Sequence, residues 1–290
     1  MTPAVSGATG EPVLRVVTPQ ARRTARGARP MVKIIQYVMH DVVRGHWLLA
    51  YGAFFLLVTE ALLRFGGGGT RALLSLANVT LLVTPLVGIA FGTMYLYNAR
   101  EFIELLLAQP VRRRQLFGGL YLGLALPLAV VFVVGAGVPL LLHGVAEPGD
   151  RAALAALLVA GVGLTLVFVA LAFLIAVRNE DRIRGLGIAI AVWLVTAVLY
   201  DGAVLLVATT FAEYPLERAL LALMLLNPVD LARVALLLQL DVGALMGYTG
   251  AVFQRFFGTA AGMGLAAMAL ALWIAVPVLL GQRLFCRKDF

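Results

Sequence analysis

Cysteine is all but absent from this 290-residue chain: Cys286 stands alone, which excludes a disulfide framework and any CxxC metal or redox site. Histidine is nearly as scarce. His40 and His46 are six residues apart and do not share a helix face well, and His143 is alone. The methionines that would suit a soft copper(I) ion, Met39, Met94, Met224, Met246, Met263 and Met268, are scattered. No metal site is expected within the chain. HExxH, GxSxG and GxxxxGK[ST] are all missing, and with them the metalloprotease, serine-hydrolase and nucleotide-binding readings. Asp201-Gly202 opens like a lipid-phosphotransferase motif, but the residues that would complete it do not follow. No catalytic residue is assigned. Any ATP chemistry belongs to another polypeptide.

Charge is also scarce, at 13% of residues against roughly 25% in a soluble domain. What fills the chain is hydrocarbon: 62% of residues are hydrophobic and the mean hydropathy is +0.97. Six runs reach the ~18–20 apolar residues that cross a bilayer. They fall at about 47–64, 72–97, 116–142, 152–177, 185–211 and 258–282. The expected fold is all-α, a polytopic helical membrane protein with six transmembrane helices.

The net charge of +8 orients this bundle and does not point to nucleic acid. With the N-terminus inside, seventeen of the 23 lysines and arginines fall on the cytoplasmic side. They lie before span 1, after span 2 (Arg100, Arg112, Arg113, Arg114), after span 4 (Arg178, Arg182, Arg184) and at the C-terminus. Six remain outside: Arg64, Arg71, Arg151, Arg218, Arg233 and Arg255. This positive-inside pattern predicts a multi-pass membrane protein with both termini cytoplasmic; the resemblance described below implies the bacterial inner membrane.

Residues 1–30 end in "ARRTARGARP" and have no helical periodicity, so a disordered basic tail is expected, with Met1 or Met31 as the start of translation. Residues 31–46 are amphipathic: Ile34, Ile35, Val38 and Val42 oppose Lys33, Gln36, Asp41 and Arg44. They read either as a helix lying along the membrane surface or as an extension of span 1. The six-span body, which the resemblance described below makes a permease domain, is then 47–290. Within the spans, Glu60, Asn78, Tyr200 and Asp201 are polar, with functional, packing and interface roles all open. Gly119/Gly123, Gly243/Gly247 and Gly258/Gly262 allow close helix approach.

Two stretches interrupt the hydrocarbon. The first is the loop 98–116. Asn98 is placed to cap a short helix with Glu101 three residues on, and Glu101 and Glu104 suit its positive N-terminal end. Phe102, Leu105 and Leu106 share a face. Pro110 ends the helix, and Arg112, Arg113 and Arg114 follow at headgroup level. The second is 212–257, between spans 5 and 6. Asn227-Pro228 breaks the run, Asp230 and Arg233 are one turn apart, Asp241 follows, and Gly243, Gly247 and Gly250 punctuate the rest. It is too broken to span and too apolar to hang free, so a re-entrant or interfacial outer segment is expected. Asp230, Arg233, Asp241 and Tyr248 would face the periplasm.

"EFIELLLAQPVRRRQLFGGLYLG" (residues 101–123) resembles the first cytoplasmic loop of type-2 ABC transporter permeases. The resemblance implies that 98–116 is a coupling loop for a separate ATPase, carried by Asn98, Arg100, Glu101, Glu104, Pro110 and Arg112 to Arg114. It implies an elbow helix at 31–46. "NPVDLAR" with "ALMGYTGAVF", and the closing "RKDF", resemble the NosY family more narrowly, the permease subunit of the system that matures the copper site of nitrous-oxide reductase. That resemblance implies a cytoplasmic ABC ATPase carrying ATP and magnesium, a second copy of the chain, membrane lipids around it and a periplasmic β-helical protein. The periplasmic protein would dock on the outer segment at Asn227, Pro228, Asp230, Arg233, Asp241 and Tyr248. It implies no cofactor in this chain. A general type-2 exporter of lipid, glycan or drug, and a membrane enzyme or passive scaffold without an ATPase, are the alternatives.

Overall fold

A computed structural model describes residues 29–65, 69–108, 111–144, 148–211, 217–239 and 260–288. Residues 1–28 of the basic tail expected at 1–30, Pro110, Asp241 and Tyr248 lie outside the described residues, while Arg29 and Pro30 already belong to the first helix. Every regular element among the described residues is helical. That follows from the solvent: in hydrocarbon no water satisfies a backbone amide, so each crossing segment must close its own hydrogen bonds.

In chain order the helices are α1 (Arg29–Val43), α2 (His46–Phe65), α3 (Gly69–Asn98), α4 (Arg100–Leu107) and α5 (Arg113–Pro139). They continue as α6 (Pro148–Arg178), α7 (Arg182–Leu194), α8 (Tyr200–Thr210), α9 (Glu217–Leu225), α10 (Pro228–Gln239) and α11 (Ala260–Arg287). Among the described residues six spans are long and apolar enough to cross a membrane: His46–Phe65, Arg71–Asn98, Arg113–His143, Asp150–Arg178, Arg182–Thr210 and Gly264–Arg287. These are the six runs read from the sequence, with ends shifted by a few residues.

Helices α3, α5 and α6 form the inside of the bundle, more than half buried over their apolar windows. Helix α3 lies along α6, α2 and α1 lie on α5, and α11 lies on α6. Perpendicular aromatic pairs join α2 to α5, Phe55 with Phe132 at 5.0 Å, and α5 to α6, Phe117 with Phe173 at 5.7 Å between ring centres. The outer helices keep broad apolar faces: Leu205 and Leu206 on α8 and Met268 and Leu272 on α11 are all exposed. In a lipid solvent such faces need no protein cover.

Span 5 is two helices joined by a single π turn, Val195–Leu199. A second π turn, Leu140–Gly144, follows Pro139 at the end of α5. Wide turns of this kind release carbonyls from the helical ladder. Helix α10 packs against α6, α11 and α3, and α9 packs against α10 and α8.

Candidate functional site

Helix α1 is short and two-faced. Ile34 and Val38 are buried against α5, where Gly119 and Gly123 leave room for them. A Cβ on Gly123 would lie 2.5 Å from Val38 Cγ1, and one on Gly119 would lie 2.7 Å from Ile34 Cγ2. The small-residue pair in α5 therefore seats α1 within the same chain.

The stretch that interrupts the hydrocarbon after α3 forms α4, at the end of the bundle where the arginines gather. Its N-cap differs from the expected one. Helix α3 stays helical through Asn98, Ala99 occupies the N-cap position, and no side chain caps it. The reason is continuity. The Ala99 amide still donates to Tyr95 O (2.9 Å) and the Ile103 amide donates to Ala99 O (2.8 Å), so α4 is a kinked extension of α3 that needs no capping side chain. Its anchor is Ile103, fully buried, which the expected face of Phe102, Leu105 and Leu106 left out. Phe102 stacks on Tyr37 of α1 at 5.0 Å. Glu101, Glu104 and Leu105 are exposed, and Arg100 is half-buried. A helix anchored on one side thus presents two carboxylates and a leucine to solvent.

Long-range bonds fasten this corner to the rest of the same end. The Tyr97 hydroxyl is within hydrogen-bond reach of Asn179 O (2.9 Å) and Asp181 O (3.2 Å), in the turn between α6 and α7. Asp181 in turn caps α7, accepting from the Ile183 amide at 2.9 Å. Arg113 donates to Lys288 O (2.6 Å) and Cys286 O (3.3 Å), so it caps the end of α11, where headgroup contact had been expected of it. Lys288 Nζ donates to Val177 O at 3.1 Å and pairs with Glu180 at 3.6 Å. Arg112 and Arg114 are exposed. Tyr97, Tyr37 and Lys288 carry no local sequence signal; their partners lie 65 to 111 residues away.

A second polar cluster lies toward the other end. Asn227, Pro228 and Asp230 are buried, contrary to the expectation that Asp230 faces the periplasm, because their partners come from α8 and the π turn of span 5. Arg233 bridges Asp201 and Asp230, reaching Asp230 Oδ1 at 3.2 Å. Asn227 Nδ2 donates to Thr196 O (2.8 Å) in the π turn and to Asp230 Oδ2 (3.1 Å), while Asn227 Oδ1 accepts from the Val229 amide. The Tyr200 hydroxyl donates to Leu223 O. Burial first, and then the neighbouring Asp201, pushes the Asp230 carboxyl up to about 7 against the pull of Arg233. Glu60, near the same end, pairs with Arg64 at 2.7 Å. No group of three or more potential metal ligands occurs among the described residues.

Six apolar spans, a two-faced helix ahead of the first, and a kinked polar corner after the second define a polytopic helical membrane protein. Residues 32–290 match the family described as ABC-2 family transporter protein. The chain belongs to that family, whose membership implies an ATPase partner and a non-catalytic membrane role for this subunit. It is similar to the probable ABC transporter permease protein NosY of Pseudomonas aeruginosa, 29% identical over 267 residues, spanning 86% of this chain and 94% of that protein. It is also similar to the protein of the same name from Stutzerimonas stutzeri, 26% identical over 269 residues, spanning 86% and 95%.

Proposed function

We propose that this chain is the permease of an ABC transporter serving maturation of the copper site of nitrous-oxide reductase, and that α4 receives the motion of a separate cytoplasmic ATPase. The observation that carries the coupling role is the build of α4: exposed Glu101, Glu104 and Leu105 on a helix whose other face is locked by Ile103 and Phe102. A push on such a helix is transmitted, because Tyr97 ties its root to the α6–α7 turn and Tyr37 ties it to α1. The copper-enzyme role rests on the resemblance to the NosY family. Both termini lie in the cytoplasm of the inner-membrane protein, two copies pair across the open faces of the outer helices, and ATP and magnesium stay on the ATPase. A periplasmic β-helical protein docks on the outer segment that follows the buried Pro228, around Asp241 and Tyr248. Asn227, Asp230 and Arg233 serve it by fixing that segment, since buried charges contribute orientation more than contact.

Reversing charge at Glu101→Arg with Glu104→Arg tests the coupling role. Both side chains face solvent, so the permease should insert normally while ATPase co-purification falls by an order of magnitude or more, as when several rim charges of one sign are inverted. Unchanged co-purification and ATPase activity would remove α4 from the interface.

A further inference from the structure

We propose that the cavity beneath α1 binds one phospholipid with an amine headgroup, the ammonium held by Asp41. The cavity, about 410 Å3 and partly open to the surroundings, is lined by residues of α1, the Gly45 turn, α2, α3 and α5. That volume lies within the ~300–1,000 Å3 of small-molecule sites. Its walls are apolar, built from Leu48, Phe91, Met94, Leu124 and Leu128, with Trp47 at the edge of the bilayer, 73% exposed. Three polar residues line it: Asp41, Tyr95 and Asn98.

Two observations select the occupant. The first is charge. Asp41 is the one ionisable acid or base among the lining residues besides the Tyr95 phenol, and its carboxylate makes no ion pair or hydrogen bond among the described residues. It lies within electrostatic reach of the Tyr95 hydroxyl, which carries no positive charge to balance it. A cationic head satisfies it and an anionic one is repelled. The second is depth. An amphipathic helix and the first turn of a span place the cavity where headgroups meet acyl chains, so the molecule at hand is a lipid. Inside a bilayer an acyl chain gains little by exchanging lipid for protein contact, so the headgroup charge decides which lipid enters.

Trp47 reports occupancy, because its ring lines the cavity and lies 6.3 Å from that of Phe91. The protein is reconstituted in vesicles of phosphatidylethanolamine and phosphatidylglycerol of one fixed composition. In one set only the phosphatidylethanolamine chains are brominated, in the other only the phosphatidylglycerol chains. The quenching that disappears in Trp47→Phe should favour phosphatidylethanolamine roughly two- to fivefold over its bulk share, the range of an exposed ion pair. Asp41→Asn should return it to the bulk ratio and Asp41→Glu should retain it. Equal quenching in both sets, a preference for phosphatidylglycerol, a preference that survives Asp41→Asn, or no quenching beyond the Trp47→Phe level would each overturn the proposal.

Discussion

Arg233 holds two carboxylates from different helices, Asp201 of α8 and Asp230 of α10, and Asn227 closes the cluster by taking the Thr196 carbonyl that the π turn exposes. Each part explains another. The wide turn frees an acceptor, the break at Asn227-Pro228 supplies a donor, and the buried acid needs both the donor and the guanidinium. Asp230 binds its proton more tightly in the folded chain than at its ordinary value of 3.8, up to about 7. Between those values the folded state carries more protons than the unfolded one, so the contribution of Asp230 to stability falls as pH rises and levels off above about 7. Compared with Asp230→Asn across that window, the wild type should therefore lose thermal stability in detergent as pH rises. A difference that stays flat across that window would mean that Asp230 is held ionised. The sequence showed Asp230 and Arg233 as a pair at helical spacing. It could not show Asp201 as the third member, because no periodicity connects residues 32 apart in different helices.

At the scale of elements, the spans were readable because the bilayer imposes a length and a composition on any segment that crosses it. The runs expected at 72–97 and 152–177 became α3 and α6 almost unchanged. Helix α1 was readable from its two faces, and its buried residues, Ile34 and Val38, belong to the expected apolar set. Its seat was not readable. Gly119 and Gly123 announce a close approach without naming the partner, which turns out to be the helix 85 residues earlier at the Val38–Gly123 contact. Similarly, Arg113 was legible as a boundary charge, while its bonds to the end of α11, 173 and 175 residues away, were not. The α1 seat makes a prediction. Gly123→Ala puts a methyl into Val38, an overpacking that costs ~1–3 kcal/mol. Protease cleavage in α1 should become faster, and Val38→Ala in the same chain should restore protection. A Gly123→Ala chain that protects α1 as well as the wild type would show that α1 does not rest on α5.

Among the described residues of the whole molecule, three spans are more than half buried and the other three keep most of their surface exposed. At the arginine-rich end, the end of α3 is bonded to the α6–α7 turn, and the end of α11 to the start of α5 and the end of α6. The transporter reading places that end in the cytoplasm. A reporter fused after Phe290 should then be active only as a cytoplasmic one, and activity as a periplasmic reporter would invert the bundle. The central claim is that α4 meets the ATPase. Because Cys286 is the lone cysteine of the chain, a Cys286→Ser background allows a single thiol to be placed at will. Leu105 is 69% exposed on α4, and Phe65 is 88% exposed at the opposite end. Leu105→Cys and Phe65→Cys chains, each co-expressed with the cognate ABC ATPase and treated with a short thiol-to-amine crosslinker, compare the two ends directly. Capture of the ATPase at residue 105 and not at residue 65 is the expected result; capture at residue 65, or at neither position in an intact complex, would contradict it.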